Sequence, residues 1–142
     1  FGPAMVEVYT LESKAALYPR VILDTDIINV GVAAHAMHHL PRHEEQSIMR
    51  LLERDLDGMY YIDYITRAQS ELDDPELDYP NYLSKLRGII SSGIMSQDPS
   101  VSIKYKWLQE KLRSHLLDVK EGARKRPIGD DLRDAYESIQ DL

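Results

Sequence analysis

The first 23 residues, FGPAMVEVYTLESKAALYPRVIL, constrain the fold more than any other stretch, because they set a helix directly before a strand. Gly2-Pro3 is a helix start, with a small residue at the cap and Pro at the first helical position, where a missing N–H costs nothing. Apolar residues then recur at helical spacing: Met5, Val8, Leu11 and Ala15. After Tyr18-Pro19 comes Arg20-Val21-Ile22-Leu23, a short run that suits a buried strand. A chain opening on a helix cap, with no initiating Met, reads as the interior of a larger domain. The expectation is therefore a C-terminal piece whose sheet continues upstream.

At 142 residues and 43% apolar, the chain suffices for one compact core or one and a half. Its 17 basic and 24 acidic residues give a net charge of −7, which argues against duplex nucleic acid as a partner. The most basic segment carries Lys120, Arg124, Lys125 and Arg126 just before Pro127, with acids nearby. It reads as a solvated helix end in preference to a phosphate-binding patch. There is no cysteine, which excludes disulfides, thiolate metal sites and Cys nucleophiles for this piece and fits a reducing cytoplasm. No apolar run approaches the ~18 residues that span a bilayer, so no membrane contact is expected of this piece.

Along the chain, a helix over 3–17 and a strand over 20–23 lead into a second helix. Asp24 and Thr25 can both cap it, residues 27, 28, 32 and 36 are apolar, and Pro41 ends it. A hairpin follows: 47–53 is one arm, Asp57-Gly58 the turn, and 59–65 the other arm. In the second arm Met59, Tyr61 and Asp63 share one face, while Tyr60, Ile62 and Tyr64 share the opposite one. The stretch ELDDPELDYP is acidic and Pro-containing, and a module boundary is placed there. The remainder is helical. Leu83, Leu86, Ile89 and Ile90 line one side of a helix over 82–90. A long helix capped by Ser100 carries apolar residues at 101, 105, 108, 112, 116 and 119, and a last one uses Leu132, Ala135, Tyr136 and Ile139. The organisation is thus 1–69 strand-containing, 70–80 acidic linker and 81–142 helical.

Several constellations could carry chemistry. His35 and His39 stand four apart, with His38, His43, Glu44 and Glu45 close by. Two His at that spacing can share a metal. Ala36 stands where a HExxH motif needs Glu, and Pro41 intervenes before His43, so a helix end whose His suit the negative dipole terminus is the favoured reading. The carboxylates of Glu71, Asp73, Asp74, Glu76 and Asp78 lack the Gly and the spacing of a calcium loop and read as a solvated linker. Tyr105 and Trp107 fall on or beside the long-helix stripe and read as packing residues. No Gly-rich phosphate loop is present, since the seven glycines are scattered singly.

Residues 2–23 resemble the late segment of class III nucleotide cyclase domains. That family carries a Tyr- or Phe-Gly, two variable residues, a helix with a VNxAxRLE pattern and a short strand. Phe1-Gly2, Met5, Leu11, Glu12 and Ser13 match it here, with residues 20–23 as the strand. GPAMVE, LESK and YPRVI, then LLERDLDGMYYIDYI and IKYKWL, resemble more closely the bacterial pyrimidine cyclases of anti-phage signalling. The resemblance spans residues 1–115, and its specific parts are the first 23 residues and the hairpin. It implies an α+β sandwich, the C-terminal half of a ferredoxin-like cyclase-type sheet, followed by a helical appendage. It also implies conversion of UTP or CTP to the 3′,5′-cyclic nucleotide and pyrophosphate by a head-to-tail homodimer, as a second messenger of antiviral defence. Mg²⁺ or Mn²⁺ would be held by aspartates on strands upstream of this chain, so the piece alone is expected to be inactive.

One departure bears on the site. The family's purine enzymes place Asn and Arg one turn apart on the first helix, and by register these positions are Val6 and Thr10. Val6 donates no hydrogen bond and Thr10 cannot neutralise a phosphate. Removing one preorganised donor usually costs about 3–4 kcal/mol of barrier, so other residues must take over or the site is degenerate. The catalytic candidates are Tyr9 and Thr10, and Arg20 is the candidate for the nucleotide phosphate. Arg20 has a structural alternative, a salt bridge to Glu12 or Asp24, and for Tyr9 and Tyr18 packed aromatics are the commoner reading. Two other functions stay open: a non-catalytic cyclase-like dimerisation or sensing module, and an unrelated helical adaptor. The adaptor predicts no strand pairing between 20–23 and 59–65.

Overall fold

The computed structural model describes residues 2, 3, 5, 6, 9, 10, 18–33, 46 and 49–142. Within them the chain is mixed α+β and divides into two compact units, Phe1–Arg67 and Ala68–Leu142. The expected His cluster at 35–43, and the ends of the first two expected helices, lie outside the described residues.

In the first unit, Pro3, Met5, Val6, Tyr9 and Thr10 are helical, and the Met5 N–H donates to the Gly2 carbonyl at 3.0 Å. Strand β1 (Val21–Leu23) follows, then helix α1 (Thr25–Ala33). Asp24 is the residue that caps α1, its Oδ1 accepting from the Asp26 N–H at 2.7 Å. Ile28 is buried beneath that helix, whereas Ile27 faces out.

Strands β2 (Leu52–Arg54) and β3 (Tyr60–Ile62) complete a three-stranded antiparallel sheet in the order β1-β3-β2. Val21 pairs with Ile62 and Leu23 with Tyr60 on one side of β3, while Leu52 pairs with Ile62 and Arg54 with Tyr60 on the other. The absent pairing that would favour the helical adaptor is therefore not what the structure has. The expected first hairpin arm over 47–53 is shorter than its sequence suggested. Residues 49–51 are helical, and extended structure begins only at Leu52, where β3 supplies a partner. The second arm also ends early, because Asp63 turns the chain. Its buried carboxylate accepts the Ile65 N–H at 3.1 Å, the Thr66 N–H at 2.9 Å and the Thr66 hydroxyl. The alternation over this arm follows the expected faces: Tyr61 and Asp63 are buried, and Tyr60, Ile62 and Tyr64 are half-buried.

The second unit contains helices α2 (Asp78–Ile94), α3 (Pro99–Lys125) and α4 (Asp130–Glu137), with a 3₁₀ turn at Ala68–Glu71. Helix α2 begins four residues before the expected 82. Pro80 is compatible with this start because the first-turn N–H groups have no intrahelical partner to lose. Tyr79, Pro80, Leu83 and Ile90 are its buried positions, and Ile89, expected on the packed side, is 59% exposed. The cap of α3 is Asp98, not Ser100. Asp98 Oδ1 accepts both the Ser100 N–H (2.8 Å) and the Ser100 hydroxyl (2.7 Å), with Pro99 at the first helical position. The predicted α3 stripe holds, since Leu108, Leu112 and Leu116 are buried at its centre.

Helices α2 and α3 approach closely at Gly93, where an added Cβ would lie 2.3 Å from the Tyr105 ring. Gly93→Ala is therefore expected to destabilise the second unit by about 1–3 kcal/mol through overpacking. Gly88 has open space around its Cβ direction, so Gly88→Ala should stabilise by about 0.5–1 kcal/mol through helix propensity alone. Thermal melts of the two variants should thus move in opposite directions.

Candidate functional site

The hairpin turn of the first unit gathers charge around Arg20. The turn closes when the Gly58 N–H donates to the Asp55 carbonyl at 2.9 Å. Gly58 then adopts φ +84°, a left-handed conformation that resolves the turn into β3. Asp55 Oδ1 accepts the Leu56 N–H at 2.7 Å, and Asp57 Oδ1 accepts the Met59 N–H at 3.0 Å. These local bonds fix both carboxylates toward the start of β1.

Arg20 meets them there. Its Nη1 donates to Asp55 Oδ2 at 2.5 Å and to Asp57 Oδ1 at 3.2 Å, and its Nη2 donates to Asp57 Oδ2 at 2.7 Å. The Arg20 side chain is only 1% exposed. Its guanidinium carbon lies 5.6 Å from the centre of the Tyr18 ring and 5.9 Å from that of Tyr61, so two aromatic faces flank the charge. Tyr64 braces the same segment, donating its hydroxyl to the Pro19 carbonyl at 2.8 Å.

Among the described residues the carboxylate partners of Arg20 are Asp55 and Asp57 and not the expected Asp24, and Glu12 lies outside the described residues. One guanidinium between two carboxylates leaves a local charge of −1. A phosphate approaching Arg20 would have to displace a bidentate carboxylate and face a second one. Tyr9 is 71% exposed, and the Thr10 hydroxyl donates to the Val6 carbonyl at 2.8 Å. Sequence reasoning named Asp57 only as a turn residue and did not single out Asp55. The available signal was two aspartates flanking one residue in a hairpin turn, opposite a strand that opens on Arg.

The Arg20 hydrogen bond, followed by that from the Met59 N–H, holds the Asp57 carboxyl below its ordinary pKa. A depressed carboxylate contributes stability above its unfolded pKa of about 3.9, and that stability is lost as pH falls through the folded value. The first unit is therefore expected to lose stability on acidification below about pH 4. Arg20→Met should flatten that dependence, as read from urea midpoints between neutral and acid pH.

The second unit holds a cavity of about 280 Å³ between α3, α4 and the loop before α2. Val119, Ala123 and Leu132 give it an apolar floor, and Glu76, His115, Asp118, Arg126 and Tyr136 bring polar groups to it. His115 Nε2 lies 2.6 Å from the Tyr79 hydroxyl, which fixes the ring on the cavity wall. Burial raises the Tyr136 hydroxyl pKa, Arg126 pulls it back and Glu76 raises it further. None of this was visible from the sequence, where the loop reads as a linker and the basic segment as a solvated helix end. Three of the four basic residues do pair with nearby acceptors: Lys120 with Asp141 at 2.9 Å, Arg124 with Glu137 at 2.6 Å, and Lys125 with Glu121. Among the described residues no three His, Asp or Glu side chains are grouped as a metal site, and no helix is long and apolar enough to cross a membrane.

No protein-family model, curated protein or solved structure matches the chain.

Proposed function

We propose that this chain is the C-terminal part of a cytoplasmic nucleotide cyclase that converts UTP or CTP to the 3′,5′-cyclic nucleotide and pyrophosphate for antiviral signalling. The observation that carries the reading is the β1–β3 pairing, Val21 with Ile62 through Leu23 with Tyr60. The two segments whose wording resembles the pyrimidine cyclases are thereby neighbours in one antiparallel sheet, as late strands of a ferredoxin-like cyclase domain would be. Met5, Val6 and Tyr9 leave an exposed apolar face on the first helix, which suits burial against a second protomer in a head-to-tail homodimer.

The described residues do not fit a catalytic Mg²⁺ or Mn²⁺, because Asp55 and Asp57 are engaged by Arg20. The reading places the metal carboxylates on strands outside this chain and assigns no metal-dependent step to these residues. Within it, Tyr9 and Thr10 remain the catalytic candidates, and Arg20 acts on the nucleotide only by exchanging a carboxylate for phosphate.

A second reading is a cyclase-like dimerisation or sensing module without activity. The neutralised Arg20 and the apolar Val6 favour it. One assay separates the two readings: incubation of the intact protein with all four NTPs and Mn²⁺, followed by mass identification of products. Cyclic UMP or cyclic CMP is expected. Silence with every NTP would leave the second reading standing.

A further inference from the structure

We propose that the cavity in the second unit binds a small zwitterion, a free amino acid with a branched aliphatic side chain. This inference is independent of the cyclase reading. At about 280 Å³ the space falls just below the ~300–1,000 Å³ of sites for drug-sized ligands, which suits a molecule the size of one amino acid.

Charge selects the class. Glu76, Asp118 and Arg126 all line the cavity, yet Arg126 has no carboxylate within ion-pair distance among the described residues. It is the member of the basic segment that is left over when Lys120, Arg124 and Lys125 have paired. Tyr136 lines the same cavity, and after burial its hydroxyl responds to both charges, Arg126 lowering its pKa and Glu76 raising it. A simple anion meets repulsion from two carboxylates, and a simple cation leaves Arg126 without a counter-charge. A ligand carrying both signs satisfies both walls: its carboxylate takes the Arg126 fork and the Tyr136 hydroxyl, and its ammonium lies toward Glu76. Val119, Ala123 and Leu132 then receive an aliphatic side chain.

The test is a titration of the 142-residue chain, followed by backbone amide NMR and calorimetry. The probes are L-leucine, L-leucinamide (no carboxylate), 4-methylpentanoate (no ammonium) and inorganic phosphate. L-leucine is expected to shift the amides of Gly122, Ala123, Leu132 and Tyr136 saturably. Leucinamide and 4-methylpentanoate should each bind at least about tenfold more weakly, since each forfeits one charged contact. Arg126→Gln should reduce leucine to the level of leucinamide, and Glu76→Gln to that of 4-methylpentanoate. Both side chains are on the exposed rim, so a melt should show the fold intact; Tyr136→Phe, which keeps the ring, supplies a further variant weakened toward leucine. Absence of saturable shifts with leucine, equal binding of the three organic probes, or equally tight phosphate at the same amides would overturn the proposal.

Discussion

Arg20→Ala is expected to destabilise the first unit by about 2–3 kcal/mol, below the ~3–5 kcal/mol typical of breaking a fully buried pair. The discount follows from the partners. The Asp57 side chain is 45% exposed, so water can rehydrate it once the guanidinium is gone. Asp55 is more enclosed and bears more of the loss. Truncation also empties the space between Tyr18 and Tyr61. Arg20→Lys keeps a charge but loses the planar fork, and should cost about 1–2 kcal/mol. Urea unfolding should be followed at the amides of β3, because Trp107 reports on the second unit. The same pair of variants separates structure from catalysis. On the proposed cyclase reading, the folded Arg20→Lys form of the intact protein keeps its NTP turnover if Arg20 serves only to hold the hairpin; if Arg20 contacts phosphate, turnover falls while the fold persists.

Leu112→Ala should have the largest effect in the second unit, about 3–4 kcal/mol, which lowers the melting temperature of a unit this size by about 20 °C. Leu112 is fully buried at the middle of α3, with Leu108 and Leu116 one turn to either side and Leu83 and Ile90 of α2 in the same core. The lost methyl groups leave a cavity that such a core can only partly close. Leu117 lies on the same helix but is 62% exposed, so Leu117→Ala should change stability by no more than about 0.5 kcal/mol. Trp107 fluorescence during thermal unfolding distinguishes the two, and equal effects would contradict the assigned core.

What was legible in the sequence tracked how local its cause is. The α3 stripe, the Asp57-Gly58 turn and the alternation over 59–65 were read correctly, because each follows from the repeat of a single element. Boundaries failed where a neighbour decided them. By its sequence Pro80 reads as the end of a linker, yet it lies in the first turn of α2, where its missing N–H does no harm. By its sequence Ser100 reads as the cap of α3, yet Asp98 accepts from both its backbone N–H and its hydroxyl. The sequence offers Arg20 carboxylates close by, whereas the antiparallel return of the chain brings Asp55 and Asp57 from more than thirty residues away. Likewise Arg126, Glu76 and Tyr136 line one cavity although they come from the end of α3, the loop before α2 and α4.

The brevity of the strands has its own consequence. Each runs for three residues, and β2 ends in Glu53 and Arg54. Among the described residues, a sheet border of that length offers a stray chain too few amide contacts to extend a ladder, and the charges of Glu53 and Arg54 oppose stacking of further copies. Chains of this kind should therefore resist fibril growth at high concentration, even though β3 itself, Tyr-Tyr-Ile, has the composition of an amyloid-forming segment.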